Sequence, residues 1–190
     1  EMVFANTPPG LPDDLPTTDK ANAIQYSAGL PPEFEEQPAV QVTLVEDLPV
    51  PVGCPISSMY PEDIRQWCEL VIQVVEQYDM DANLIAAVML QESGGNPRAY
   101  SKSGAVGLLQ VMPKDGIAAS FTCINGPCFA NRPSSDELFD PAFNLQYGVR
   151  MLAGLQSHYG NLRDALKAYG PMDMGYHYAD KVLSIYQNYQ

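Results

Sequence analysis

One run constrains the fold more than any other part of the chain: DANLIAAVMLQESGGNP, residues 81–97. From Ala82 to Glu92 it holds no glycine or proline and is largely apolar, which predicts a helix starting near Asp81. Gly94 and Gly95 stop that helix, and Pro97 confirms the stop. Ile85, Val88 and Met89 stand seven, four and three residues before Glu92, and those positions share one helical stripe. A stripe so apolar faces a core, and the residue that ends it is a carboxylate.

Two effects of one sign act on an inward-facing Glu92. Desolvation disfavours the charged form, and the negative end of the helix dipole disfavours it again. Both raise its pKa, as a general acid working near neutral pH requires. Gly94 and Gly95 then spare the approach of a ligand from crowding side chains. The opposing reading is a glutamate that fans out of the last turn into water. The pattern alone leaves both open.

Helical signals lie on either side. Pro61 suits a first helical position, and Glu62 and Asp63 suit the positive end of the dipole. Ile64, Trp67, Cys68, Val71, Val74, Val75 and Tyr78 then recur at helical spacing. The stretch SKSGAVGLLQVMP, residues 101–113, is too short and broken for a helix of its own. Asp115, after Pro113 and Lys114, is expected in the first turn of a short helix. Asp140 and Pro141 supply an N-cap and first turn for a long helix ending at Tyr159, with Gly160 behind it. LRDALKAY ends at Gly170 and Pro171, and YHYADKVLSIYQNY carries Ala179, Val182, Leu183, Tyr186 and Tyr189 on one face. The expected fold is mainly α over residues 56–190, with at most a small β element. Residues 1–55 are Pro-rich and acidic, with one strand-like patch, AVQVTLVE, and read as a linker or wrapping segment.

Charge narrows the partners. Residues 1–60 carry nine acidic and one basic side chain, residues 61–190 fourteen and nine, for a net charge of −13. Nucleic acid and anionic membrane both demand Lys/Arg clusters, so neither is expected as a partner. No apolar run approaches the roughly 20 residues of a membrane span. The start, EMVFANTPPG, has neither the basic region nor the apolar core of a signal peptide and reads as a mature end. Cys123 and Cys128 are placed to close a short disulfide loop, leaving Cys54 to pin the tail to Cys68; four free thiols are the alternative. Paired disulfides imply an extracytoplasmic setting. No metal or cofactor is expected. His158 and His177 lack an HExxH spacing, and the chain has no nucleophile elbow, Walker A loop or dinucleotide fingerprint.

The company Glu92 keeps is specific. Ser93 follows it, Ser101 stands nine residues on, and GLLQVMP comes next, with Gln110 and Met112. This order resembles the catalytic domain of soluble lytic transglycosylases, relatives of goose-type lysozymes. In that family a helix-end glutamate is followed by a serine and a Gly-Leu-Met-Gln-x-Met-Pro element; here Leu109 replaces the usual Met. DPAFNLQYGVRML looks like the family's Asp-Pro-x-x-Asn helix start, on Asp140 and Asn144, and KAYG like its Ala-Tyr-Asn element, on Tyr169. Gly170 stands where that element has asparagine, and an insert with Cys123 and Cys128 separates Gln110 from Asp140.

The resemblance implies a lysozyme-like helical domain and a peptidoglycan glycan strand as partner, acted on by a monomer without cofactor. It implies cleavage of the β-1,4 bond between N-acetylmuramic acid and N-acetylglucosamine. Glu92 would be general acid and then base, giving a 1,6-anhydro product. Ser101 and Gln110 would orient sugar groups, Tyr169 would pack on the sugar or position Glu92, and Met112 would belong to the core or the cleft wall. A hydrolytic muramidase would need a second carboxylate. Asp115, Asp140 and Asp173 qualify by position only, and Asp140 is better read as a helix cap. A glycan-binding module without turnover is the reading from another class, kept open by Gly170. The acidic tail is a candidate internal inhibitor.

Overall fold

The computed structural model describes residues 53–190, so the patch at 39–46 and nearly all of the acidic segment lie outside the described residues. Seven α-helices and one two-stranded hairpin make up the regular structure among them. α1 spans Glu62–Arg65, α2 Cys68–Tyr78 and α3 Ala82–Glu92; β1 is Thr122–Cys123 and β2 Gly126–Pro127. α4 spans Ser135–Leu138, α5 Pro141–Tyr159, α6 Leu162–Tyr169 and α7 His177–Asn188.

α3 is the centre of the domain. Asp81 caps it, accepting from the Asn83 and Leu84 amides, and every residue from Leu84 to Met89 is buried. The expected single apolar stripe is therefore too narrow: a helix apolar on all sides is one that other elements surround. α1, α2 and α7 pack on α3, while α2 also meets α5, and α5 meets α4 and α6. The single helix expected from residue 61 onward is two. Pro61 caps α1 from outside, and the chain turns at Gln66 and Trp67 before α2. The break lets the Trp67 indole donate to the Gly95 carbonyl at 2.9 Å, which pins α1 across the end of α3.

Disulfides pair Cys54 with Cys68 and Cys123 with Cys128. The first fastens the segment before α1, where Asn83 also accepts from the Ser57 amide and Tyr60 stacks on Tyr189. The second closes the hairpin, whose register pairs Thr122 with Pro127 and Cys123 with Gly126. Asp140 caps α5 as expected, accepting from the Phe143 amide at 2.8 Å.

Asn144 is the one fully buried polar residue among those described. Its Nδ2 donates to the Val106 and Leu138 carbonyls, each at 2.9 Å, and its Oδ1 accepts from the Leu109 amide at 2.8 Å. An amide from α5 thus holds a loop that has no ladder of its own. Gly107 makes the approach possible, since a Cβ there would lie 2.2 Å from Asn144 Nδ2. Replacing Asn144 with alanine removes three buried hydrogen bonds, leaving the Leu109 amide and Leu138 carbonyl without the side-chain partner while the Val106 carbonyl keeps the Val111 amide. Urea denaturation should show a loss of about 3 kcal/mol, against well under 1 kcal/mol for alanine at an exposed polar site.

Candidate active site

Glu92 is the last residue of α3, and its carboxylate accepts a hydrogen bond from the hydroxyl of Tyr178 in α7. Burial pushes the Glu92 pKa up from 4.5 to about 7, with the Tyr178 hydrogen bond pulling the other way. Desolvation outweighs it, and the contact with Tyr178 turns the half-buried Glu92 inward rather than out into water. Burial also pushes the Tyr178 hydroxyl well up, and the Glu92 charge adds to that. The hydroxyl therefore stays protonated and donates. Tyr178 is 2 % exposed and shares a helical stripe with Val182. That spacing was the only signal for it in the sequence, and nothing local tied it to a residue 86 positions away.

The end of α3 is hooked to the loop that carries the other candidates. Ser93 Oγ donates to the Leu108 carbonyl at 2.8 Å and accepts from the Gly95 amide at 3.1 Å. Val106 and Val111 pair as an antiparallel bridge, so residues 107–110 form a tight turn. Gln110 sits in it with φ 46, the left-handed region that costs a non-glycine residue about 1–2 kcal/mol. Its Nε2 donates to the Ala99 and Gly107 carbonyls at 3.2 and 3.0 Å. The turn is thus closed by the same amide that the sequence marks for substrate, and Oε1 is the end left for a ligand among the described contacts. Ser101 is likewise engaged: its Oγ accepts from the Ala105 amide at 2.9 Å. Its hydroxyl proton remains to be donated.

Tyr169 reaches the same turn from α6, donating to the Leu109 carbonyl at 2.9 Å. The residue is only half-buried, yet its hydroxyl lies deep, and burial with the Glu92 charge raises its pKa. Arg132, behind it, acts in the opposite direction. Glu92, Tyr169, Tyr178 and the 107–110 turn therefore converge. Met112 is half-buried, and no described contact ties it to Glu92.

Other expectations need correction. Gly95 is buried under α1, where a Cβ would stand 2.0 Å from the Asp63 carbonyl oxygen, so it makes room for a helix and not for a ligand. Asp115 is not in the first turn of a helix. It precedes the 3-10 turn Gly116–Ser120 with extended backbone, and its carboxylate accepts from the Ser135 hydroxyl at 2.5 Å and the Ser135 amide at 3.0 Å. It fastens the start of α4. The Ser135 hydrogen bonds hold its pKa below the ordinary range. Asp173 lies on an exposed 3-10 turn. No group of three or more metal-ligating side chains occurs among the described residues.

The resemblance placed Glu92, Gln110 and Tyr169 in one site; the fold brings Glu92, Tyr169 and the Gln110 turn together and adds Tyr178, which the resemblance did not name. The family model described as Transglycosylase SLT domain matches residues 69–173, and the chain belongs to that family. It is 32% identical over 101 residues to membrane-bound lytic murein transglycosylase E of Buchnera aphidicola subsp. Acyrthosiphon pisum, covering 53% of this chain and 44% of that protein. It is 34% identical over 104 residues to a transglycosylase of Enterobacteria phage PRD1, covering 55% and 34%. Membrane-bound lytic murein transglycosylase C of Haemophilus influenzae is 36% identical over 95 residues, covering 50% and 26%. The chain spans less than half the length of each of these relatives.

The raised pKa of Glu92 has a consequence for stability. The folded value stands above the unfolded 4.5, so the contribution is fully present below that pH and is lost as pH rises through about 7. Glu92→Gln cannot ionise and escapes the loss. Between about pH 4 and about pH 8 the stability gap should move by roughly 3 kcal/mol in favour of Glu92→Gln, read by urea denaturation. A gap that ignores pH would mean a solvated carboxylate.

Proposed function

We propose that residues 56–190 form a catalytic domain that cleaves the β-1,4 bond between N-acetylmuramic acid and N-acetylglucosamine in peptidoglycan. Glu92, its pKa raised to about 7 by burial, gives its proton to the glycosidic oxygen as the bond from C1 to that oxygen breaks. The substrate's own N-acetyl oxygen bonds to C1 and takes up the developing charge. Glu92, now a carboxylate, removes the proton from the 6-hydroxyl, whose oxygen bonds to C1 and displaces the acetyl oxygen. The product is a 1,6-anhydro end, and no water is consumed. Ser101 and Gln110 hold the acetamido and hydroxyl groups, Met112 contributes to the cleft wall, and Tyr169 braces the turn beneath the sugar.

The observation that carries this reading is the Glu92 carboxyl, held against Tyr178 with its pKa raised by burial, on which no second carboxylate acts among the described residues. Asp115 is bound to Ser135 and Asp140 caps α5, so both are occupied in holding helices. Hydrolysis would need one of these, or Asp173 on its exposed turn, to hold a water. The names of the relatives, lytic murein transglycosylases, point the same way. Two disulfides suit the oxidising side of a membrane, where peptidoglycan lies. No helix among the described residues is long and apolar enough to cross a membrane.

Mass spectrometry of the muropeptides released from purified peptidoglycan tests the proposal. Wild type should release anhydro-muramyl ends, and Glu92→Gln should lose at least about 100-fold in rate, the usual contribution of a positioned acid. Reducing ends would mean hydrolysis. Binding without release by either protein would leave a glycan-binding module.

A further inference from the structure

Gly170 ends α6 with φ −72 and ψ −179, angles any residue adopts, so backbone conformation does not demand glycine there. Contact does. A Cβ at position 170 would stand 2.4 Å from both Cδ1 and Cγ of the Tyr178 ring and 3.0 Å from its Cβ. Real Cβ atoms do not approach carbon so closely, so the ring would have to move.

The ring has little room to retreat. α7 packs on both α3 and α6, and its first turn is bolted to α6. Arg163 grips Asp180 with two hydrogen bonds, 2.7 and 2.9 Å. The Tyr176 hydroxyl donates to Asp164 at 2.5 Å. The Tyr176 ring also takes the Arg163 guanidinium at 4.0 Å and the Lys167 ammonium at 4.5 Å. Two residues on from Tyr176, the Tyr178 ring is caught between the backbone of Gly170 and the carboxylate of Glu92.

We propose that Gly170 is a positioning residue: its missing side chain sets the depth of the Tyr178 ring and so delivers the Tyr178 hydroxyl to Glu92. Its catalytic meaning rests on the reading of Glu92 as the acid. The departure from the family's Ala-Tyr-Asn element, which kept a binding-only reading open, then serves the acid. The residue at 170 becomes a remote setting for the proton affinity of Glu92. The groups that bear on that carboxyl are Tyr178 from α7 and Tyr169 from α6, with Arg132 behind Tyr169. Of these, Tyr178 is the one whose side chain a Cβ at position 170 would meet.

The test is a ¹³C NMR titration of the Glu92 carboxyl in the wild type, Gly170→Ala, Tyr178→Phe and the double variant. The Tyr178 bond favours the carboxylate, so losing it raises the midpoint. Gly170→Ala and Tyr178→Phe should each shift it upward by about one pH unit, and the double variant no further. A merely structural glycine would lower Tm and leave the midpoint alone. An unmoved midpoint in Gly170→Ala, or shifts that add in the double variant, overturns the proposal. Should Gly170→Ala fail to fold, the Tyr178→Leu background decides, because leucine is smaller and can turn away from position 170. Gly170→Ala folding there supports the contact, and failing there assigns the glycine to something else. None of these readings uses turnover. An active Glu92→Gln protein would end the functional proposal and leave the titration standing on its own.

Discussion

The amide of Asn144 is the constraint on which the rest of the site depends. The loop from Ala99 to Pro113 has no strand ladder beyond two isolated bridges, yet it must hold Gln110 in a left-handed conformation. Asn144 supplies what a sheet would have supplied, satisfying the Leu109 amide and the Val106 carbonyl from the buried side. Ser93 takes the Leu108 carbonyl from the end of α3, and Tyr169 takes that of Leu109 from α6. Three helices thus hold one turn by its backbone. Such a turn keeps its shape while most of its side chains change, since the bonds go to main-chain atoms.

The carboxyl at the end of α3 is built on the opposite principle. Glu92 is perturbed mainly by what is absent, water, and one hydroxyl tempers the effect. Burying an ionisable group costs stability, and proteins accept such a cost chiefly where the shifted pKa has a use. α3 can bear it because all its other neighbours from Leu84 to Met89 are apolar and fully packed.

Much of this was legible in the sequence where spacing and caps carry the information. Asp81, Asp140 and Gly160 mark helix ends by local chemistry, and each stands where it was expected. The phase of Glu92 relative to Ile85, Val88 and Met89 allowed an inward turn without deciding it, because α3 is buried on every side and only the contact with Tyr178 distinguishes the two readings. What escaped was decided by contacts far apart in the chain. The break at Trp67 is set by its bond to Gly95, 28 residues away, and no propensity signals it. Gly95 appeared to clear a path for a ligand because the crossing of α1 could not be seen. Asp115 appeared to begin a helix because its partner, Ser135, lies 20 residues on. Tyr178 was one of eleven tyrosines, and only the fold picks it out.

The burial of Glu92 also bears on what happens after it ionises. The free energy that makes a carboxyl slow to part with a proton is the same free energy that makes its anion eager to recover one. A water-bathed glutamate is a serviceable acid only well below neutrality and a feeble base everywhere. With a pKa raised to about 7 the two capacities come nearly into balance, and under the proposed function one side chain would donate and then retrieve within a single cycle. Each proton given up leaves behind a charge that the fold itself works to remove.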